Sequence, residues 1–266
     1  MKPAALVLRT SGINCDVETA YAFDLAGARP EIVHLNRILE APALLKRYQM
    51  LAIPGGFSYG DDVAAGRIFA NQLQHHLADD LRAFVAAGKP IIGICNGFQV
   101  LVKTRLLPGL GGLRAKQQYT LGHNDRGRFE ARWVALATCP GPCVWTAGLQ
   151  RLSLPVAHGE GKFMAADDQA RQILWEQRLV SLLYVCDDGS PAQGRFPANP
   201  NGSTDDIAGI CDPTGLVFGL MPHPERYIDR TQHYSWTRFT CDMDEGQGLA
   251  IFRNAVRHVA GMGVGV

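Results

Sequence analysis

The stretch that most constrains the fold is Lys89-Pro-Ile-Ile-Gly-Ile-Cys-Asn-Gly-Phe-Gln-Val-Leu-Val102. Residues 90–94 are apolar and β-branched, the pattern of a buried strand. Residues 98–107 continue as an apolar helical run. Between them, Gly93 and Gly97 flank Cys95. A chain that turns sharply from strand to helix needs small residues where its backbones crowd. Such an elbow holds Cys95 out at the carboxyl edge of a sheet and at the N-terminus of the next helix. Unpaired N–H groups and the helix dipole there favour an anionic, nucleophilic sulfur. A small buried hydrophobe in a tight strand–helix packing fits the same residues. The rest of the chain decides between the two.

Residues 4–9 read as a first strand, leading into Thr10-Ser-Gly-Ile-Asn14. Residues 15–26 carry a helical apolar pattern (Val17, Ala20, Tyr21, Phe23, Leu25), stopped by Gly27. Residues 31–35 form a second strand, 43–48 a short helix and 50–53 a third strand that breaks at Pro54-Gly55-Gly56. Residues 73–87 are a helix stopped by Gly88. Strands alternating with helices imply βαβ units, right-handed crossovers and a parallel sheet. Ligands bind outside the carboxyl ends of such strands, so Gly55, Gly56 and Cys95 can face one another. In the second half, residues 127–137, 141–146, 152–158, 179–185 and 217–221 are short and strand-like, a more antiparallel extension. Residues 190–204, rich in Gly, Pro, Asn and Ser, make a long loop. Residues 248–260 close the chain with a helix, and 261–266 fray. The expected class is α/β in a single domain over residues 1–266. Its central sheet is mostly parallel and flanked by helices, with a smaller antiparallel extension.

Composition excludes several functions. The chain has 266 residues, 47% of them hydrophobic, enough for a full core. Its 26 basic and 25 acidic side chains leave a net charge of +1. That is no footprint for nucleic acid or for a membrane surface. No apolar run reaches the length of a signal peptide core or a membrane span. Seven scattered cysteines, an odd number, suit reduced thiols in the cytoplasm. Cys139-Pro-Gly-Pro-Cys143 has no second pair and no spaced histidines to complete a metal site.

A nucleophilic cysteine needs a base and a group that orients the base. Of the eight histidines, His75, His76 and His258 lie on helical stretches and read as solvated. His223 stands apart in Met221-Pro-His-Pro-Glu225, where the flanking prolines enforce extended backbone. Residues two apart then point to one side, so Glu225 can hold the His223 imidazole in one tautomer. A rigid Pro-rich turn with a solvated His and Glu fits these residues too. Gly55 and Gly56 offer backbone N–H groups suited to an oxyanion hole, or a plain turn. Asp61 and Asp62 beside Gly60 read as turn or helix-cap residues. Ser58 and Tyr59 have no derivable role. Asn96 follows the cysteine. Gln99 lies one helical turn beyond Cys95 on the same face, where its amide can read another amide or a carboxylate. Lys103, a further turn on, is expected to reach solvent. His158-Gly-Glu-Gly-Lys-Phe163 is a binding loop or a hairpin end.

With these residues in place, the chain resembles the class I glutamine amidotransferases. Gly93-Ile-Cys-Asn-Gly-Phe-Gln99 matches their G-x-C-x-G-x-Q motif, and Pro222-His-Pro-Glu225 matches their His-x-Glu pair. Longer stretches are similar to the branch of that family that serves purine biosynthesis. They are Pro54-Gly-Gly-Phe-Ser-Tyr-Gly-Asp-Asp62, Gly127-Arg-Phe-Glu130, His158-Gly-Glu-Gly-Lys-Phe163, Asn201-Gly-Ser and the run from Ile207 to Arg226. Ala131 departs from the family pattern, in which a cysteine often follows Gly-Arg-Phe-Glu. Residues 227–247 add length seen in longer members.

The resemblance implies a flavodoxin-like α/β fold and a Cys95–His223–Glu225 triad. It implies an oxyanion hole of backbone N–H groups at Gly55, Gly56 and Asn96, with Gln99 and Asn124 contacting substrate glutamine. It also implies hydrolysis of the glutamine side-chain amide to glutamate and ammonia. The chain lacks a Walker-type loop, so no cofactor is expected in it. ATP and Mg are expected on a partner synthetase subunit, accompanied in many cases by a small third subunit. That partner would use the ammonia to convert formylglycinamide ribonucleotide to formylglycinamidine ribonucleotide. Three other readings compete. One is a cysteine hydrolase, although those usually place His where this chain has Asn96. The others are a glutaminase subunit of a different amidotransferase, and an inactive partner-binding module.

Overall fold

Short aliphatic runs build a parallel core, and its register places the elbow. In the computed structural model, residues 2–111, 116–238 and 245–262 are described. β1 (Ala4–Arg9), β2 (Arg29–His34), β3 (Met50–Ile53) and β4 (Ile91–Ile94) alternate with α1 (Asp16–Leu25), α2 (Leu35–Glu40), α3 (Arg67–His76) and α4 (Ala78–Ala86). α5 (Asn96–Lys103) follows β4 directly. β3 and β4 are wholly buried, so their unbroken aliphatic character matches strands covered on both faces.

The second half supplies β5 (Tyr119–Gly122), β6 (Glu130–Thr138), β7 (Arg151–His158), β8 (Lys162–Ala165), α6 (Asp168–Glu176), β9 (Val180–Val185), β10 (Ile207–Cys211), β11 (Val217–Leu220) and α7 (Leu249–Met262). Among the described residues, nine strands form one sheet in the order β2-β1-β3-β4-β11-β10-β9-β6-β7, and β5 pairs with β8 in a separate two-stranded sheet. β2, β1, β3, β4 and β11 run parallel. β10, β9, β6 and β7 continue the sheet in antiparallel fashion. The antiparallel extension is therefore continuous with the central sheet. No helix among the described residues is long and apolar enough to cross a membrane.

Five sequence expectations are corrected. Residues 217–221, grouped with the extension, form β11 inside the parallel core, with Val217 opposite Ile91 and Leu220 opposite Ile94. Gly219 permits this because a side chain there would meet the Phe98 ring at 2.1 Å. The single helix over 73–87 is two helices that break at Leu77 (φ −127°, ψ 9°). Asp79 and Asp80 sit in the first turn of α4, where carboxylates suit the helix dipole. Residues 141–146 are turns. Their apolar content serves to bury Trp145, whose indole N–H donates to the Leu216 carbonyl at 2.9 Å. Leu35 begins α2 instead of ending a strand, with the His34 side chain accepting from the Asn36 N–H. Residues 43–48 fall on a 3₁₀ turn, Pro42–Arg47. Within the added segment, residues 227–238 fold over Trp133, whose ring lies 5.0 Å from Tyr227 and 4.3 Å from His233. Residues 239–244 of that segment, and 263–266 of the frayed end, lie outside the described residues.

The elbow depends on its glycines. A Cβ on Gly97 would sit 1.8 Å from the Ile53 carbonyl oxygen, and one on Gly93 would sit 2.5 Å from the Gly97 carbonyl. Both obstacles are backbone, so neither can rotate away. Gly97→Ala is expected to destabilise the protein by roughly 3 kcal/mol or more, through overpacking against rigid backbone. Urea denaturation reads this as a lowered midpoint at unchanged slope. An unchanged midpoint would contradict the packing described.

Candidate active site

Cys95 connects β4 to α5 with φ 50° and ψ −106°. That left-handed backbone is strained for a side chain bearing a Cβ. It is held by the Cys95 N–H donating to the Leu220 carbonyl at 2.8 Å, while the Cys95 carbonyl accepts from Phe98 and Gln99. The sulfur is buried and points toward the Ala157 carbonyl, 3.7 Å away on β7.

β11 ends beside this elbow, and Met221-Pro222 carries the chain to His223. The His223 N–H donates to the Pro155 carbonyl at 2.8 Å, which anchors it to β7. His223 is extended, as its flanking prolines require, but residues 224–226 close into a single 3₁₀ turn. It is this turn, and not an extended run, that brings Glu225 back. His223 Nδ1 donates to Glu225 Oε1 at 2.6 Å, and both side chains are buried. The Nδ1 proton is thereby committed, and Nε2 is the working edge of the ring. Nε2 is buried and makes no hydrogen bond within the chain. Burial alone would hold His223 neutral. The Glu225 carboxylate and the Cys95 and Cys15 sulfurs outweigh it and keep the imidazole protonated well above the ordinary histidine range.

The loops after β1 and β3 close the near side. A side chain on Gly55 would meet His223 Cε1 at 2.7 Å and the Cys15 sulfur at 3.1 Å. Gly56 takes φ 139° and bridges to Ile13. The Asn96 amide donates to Asp61 Oδ1 at 3.1 Å and to Gln99 Oε1 at 3.0 Å, and its oxygen accepts from the Ser58 N–H at 3.4 Å. The Gln99 amide donates to the Glu160 carbonyl. Asn96 and Gln99 are thus one amide chain joining the 58–66 loop to the loop after β7. Asp61 is a turn residue, as expected, with φ 53° and a bond to the Gly66 N–H. Burial raises its carboxyl above the usual range. Lys103 is half-buried where full solvation was expected: its ammonium donates to the Ala65 carbonyl at 2.6 Å, and burial lowers its pKa.

Asn124 is buried with its polar atoms engaged by the chain. Its amide donates to the Arg128 and His158 carbonyls at 2.8 Å each, and its oxygen accepts from Gly161 at 3.1 Å. In this arrangement it clamps the turn at 158–161. That turn carries the chain from β7 to β8 in the separate two-stranded sheet. The two strands do not pair, so 158–163 is not a hairpin end, and it borders the site through the Glu160 carbonyl.

Two residues at the site had no individual role in the sequence reading, although His158 opened the stretch named as a binding loop or hairpin end. His158 ends β7, buried, with Nδ1 3.1 Å from Asn124 Oδ1. The Asn124 oxygen can only accept, so Nδ1 carries the proton. Nε2 is buried without a hydrogen-bond partner. Burial first, and the nearby His223 second, push the His158 pKa down to about 3, so it is neutral. The signal for it was a histidine at the last buried position of an alternating strand. Cys15, read only as a helix start, has its sulfur 4.0 Å from His223 Nδ1. Cys15, His223 and Glu225 place three potential metal donors within 4.8 Å of one another. The direct His223–Glu225 hydrogen bond already engages His223 Nδ1 and Glu225 Oε1, and the Arg226 guanidinium lies on the Cys15 sulfur at 3.1 Å, while Glu225 Oε2 is buried without a partner. A thiol at an elbow, an imidazole and a buried carboxylate are the parts of nucleophilic acyl transfer.

Comparison with known proteins agrees with this geometry. Residues 2–259 match the CobB/CobQ-like glutamine amidotransferase domain. Phosphoribosylformylglycinamidine synthase subunit PurQ of Dehalococcoides mccartyi is 48% identical over 257 residues, covering 96% of this chain and 97% of that protein. The subunit of the same name from Treponema denticola is 44% identical, covering 91% and 97%. In the solved structure of PurLQS from Thermotoga maritima, a chain that is 28% identical superposes with a TM-score of 0.70 over 97% of this chain and all of that one. A glutamine amidotransferase from the same organism, 15% identical with a TM-score of 0.56, shares the fold.

The buried neutral His158 has a measurable consequence. Its folded pKa lies below the unfolded value, so the unfolded chain binds the extra proton between about pH 6.5 and 3. Stability is therefore fully present above that window and falls as pH drops through it. The loss is on the order of a few kcal/mol across the window. His158→Gln is expected to flatten this slope in urea denaturation at stepped pH. An unaltered slope would show that His158 is not the group responsible.

Proposed function

Because the chain belongs to the CobB/CobQ-like glutamine amidotransferase family, we propose that it is the glutaminase subunit of phosphoribosylformylglycinamidine synthase. The observation that carries this reading is the buried His223–Glu225 hydrogen bond of 2.6 Å beside the Cys95 elbow. It lies in a chain that matches PurQ subunits over nearly their whole length.

The reaction divides among the residues by their geometry. Cys95 attacks the side-chain amide carbon of glutamine as the thiolate. Backbone N–H groups of the Gly55–Gly56 loop and of Asn96 receive the developing oxyanion, an interaction worth about 10²–10³ in rate per donor. His223, protonated and held by Glu225, gives its Nε2 proton to the leaving ammonia. A γ-glutamyl thioester remains on Cys95. His223, now neutral, takes a proton from water as it attacks, and glutamate leaves. Gln99 reads the glutamine from the first turn of α5. Asn124 supports the site by holding the 158–161 turn.

Ammonia made in this way has no acceptor in the chain. The partner is a synthetase subunit, with a small third subunit, that carries ATP and Mg. It uses the ammonia to convert formylglycinamide ribonucleotide to formylglycinamidine ribonucleotide. The setting is cytoplasmic. Ammonia released into water is lost as ammonium, which favours a site that is slow until the synthetase docks.

A glutamine-mimicking electrophile is expected to label Cys95 stoichiometrically, with Cys95→Ala both unlabelled and inactive. Glu225→Gln is expected to lower kcat by about two to four orders of magnitude while leaving KM within a few fold. The purified chain should be a weak glutaminase that the synthetase stimulates strongly. Full activity of the isolated chain, unaffected by the partner, would contradict the proposal.

A further inference from the structure

Cys15 sits where a mechanism of Cys95, His223 and Glu225 has no use for a second thiol. Its backbone is fixed: the N–H donates to the Gly55 carbonyl at 3.3 Å, and its carbonyl accepts from the Thr19 N–H at 3.0 Å and the Thr19 hydroxyl at 2.6 Å. Its sulfur is buried on the Nδ1 side of His223, 4.0 Å from that nitrogen. There it donates to Asn14 Oδ1 at 3.2 Å and accepts from Arg226 Nη2 at 3.1 Å. Arg226 is held from its other side by Glu18, with Nε to Oε1 at 2.9 Å. Burial pushes the Cys15 pKa up to about 11, so the sulfur is a neutral thiol near neutral pH.

Arg226 follows Glu225 directly, and the two charges interact. A guanidinium, here only half-buried, binds a carboxylate more strongly than a neutral sulfur. Drawn onto Glu225, whose Oε2 has no partner, it would offset the carboxylate's charge and disfavour a charged imidazole. The sulfur and Glu18 together keep it away. Resting on the glutaminase reading, we propose that Cys15 is a positioning residue. Its thiol braces the Nδ1 side of His223 and holds Arg226 off Glu225, so that the imidazole keeps both its orientation and its proton. The groups that set the charge of His223 come from every element packed on it. They are Cys95 just before α5, Glu225 in the turn after β11, Cys15 just before α1, and His158 at the end of β7, with Arg226 and Glu18 acting on them from behind Cys15.

The test compares the wild type with Cys15→Ala and Cys15→Ser by two readouts. One is the pH profile of glutamine hydrolysis with the synthetase present. The other is the titration of the His223 imidazole by NMR, which needs no activity. Losing the brace weakens the protonated imidazole, so its titration and the alkaline limb of kcat move to lower pH. For Cys15→Ala the expected change is about one pH unit, a tenfold change in proton affinity, with kcat about tenfold lower and KM little changed. Cys15→Ser offers Arg226 an acceptor again and should recover most of both. If Cys15→Ala fails to fold, Cys15→Val fills the space without an acceptor and should behave as expected of Ala. An unmoved His223 titration, or Ser no better than Ala, overturns the inference. A wild type that does not hydrolyse glutamine, together with a shifted titration in the variant, sinks the glutaminase reading and leaves the positioning role standing.

Discussion

The parallel pairing of β4 with β11 is the constraint on which the rest depends. It sets Ile94 opposite Leu220, so the Cys95 N–H donates to the Leu220 carbonyl. Two chain segments more than a hundred residues apart thus end at the same edge of the sheet. One turns into a helix at Cys95. The other continues through Pro222 to His223, whose own N–H is tied to β7. Neither functional side chain is placed by a long loop. Each is within three residues of a buried strand, which is how a site held to fractions of an ångström is built from an ordinary backbone.

Charge inside this site is handled by enclosure. A buried histidine beside a buried carboxylate is costly unless the pair is hydrogen-bonded. Here the 2.6 Å bond between His223 and Glu225 meets that requirement. The same enclosure acts in the opposite direction on His158, a few residues along β7 from the Pro155 carbonyl that anchors His223. It has a neutral amide oxygen as its partner and a cationic neighbour, so it stays neutral. Two buried histidines, one ending β7 and one just past β11, therefore differ in charge because one has a carboxylate and the other does not. Only the charged one can deliver a proton to a leaving amine.

The contrast explains what could be read from residues alone. β1 and β3 match the expected strands at 4–9 and 50–53, because continuous aliphatic runs between polar segments leave little choice of element or boundary. Cys95, His223 and Glu225 announce themselves locally through glycine and proline neighbours that restrict the backbone. β11 does not, because a four-residue buried strand looks the same whether its neighbours run parallel or antiparallel. The break at Leu77 was hidden in a polar stretch that carries helical pattern on both sides. Cys15 is the extreme case: it meets His223 across 208 residues, and nothing in Asn14-Cys15-Asp16 refers to that contact. Local rules find the residues that shape their own backbone, and contacts made only by folding remain out of reach.

The amide chain through Asn96 and Gln99 links this architecture to substrate. Asp61, Asn96, Gln99 and the Glu160 carbonyl are joined in series, from the 58–66 loop to the turn after β7. Gln99 has its amide oxygen on Asn96 and its amide nitrogen on Glu160. For Gln99 to read a substrate amide, one of these bonds must exchange. Exchange at the oxygen releases Asn96, and through it the loop that carries Gly55 and Gly56. Exchange at the nitrogen releases the turn that Asn124 clamps. Binding a small molecule at Gln99 is therefore felt in one of two surface-reaching loops, and Phe57 and Val63 are exposed on the first of them. By the reciprocity of linkage, anything that presses on that loop from outside alters how readily Gln99 gives up its internal partner. The series of amides connects an exposed loop to Gln99 without Cys95, His223 or Glu225 having to move.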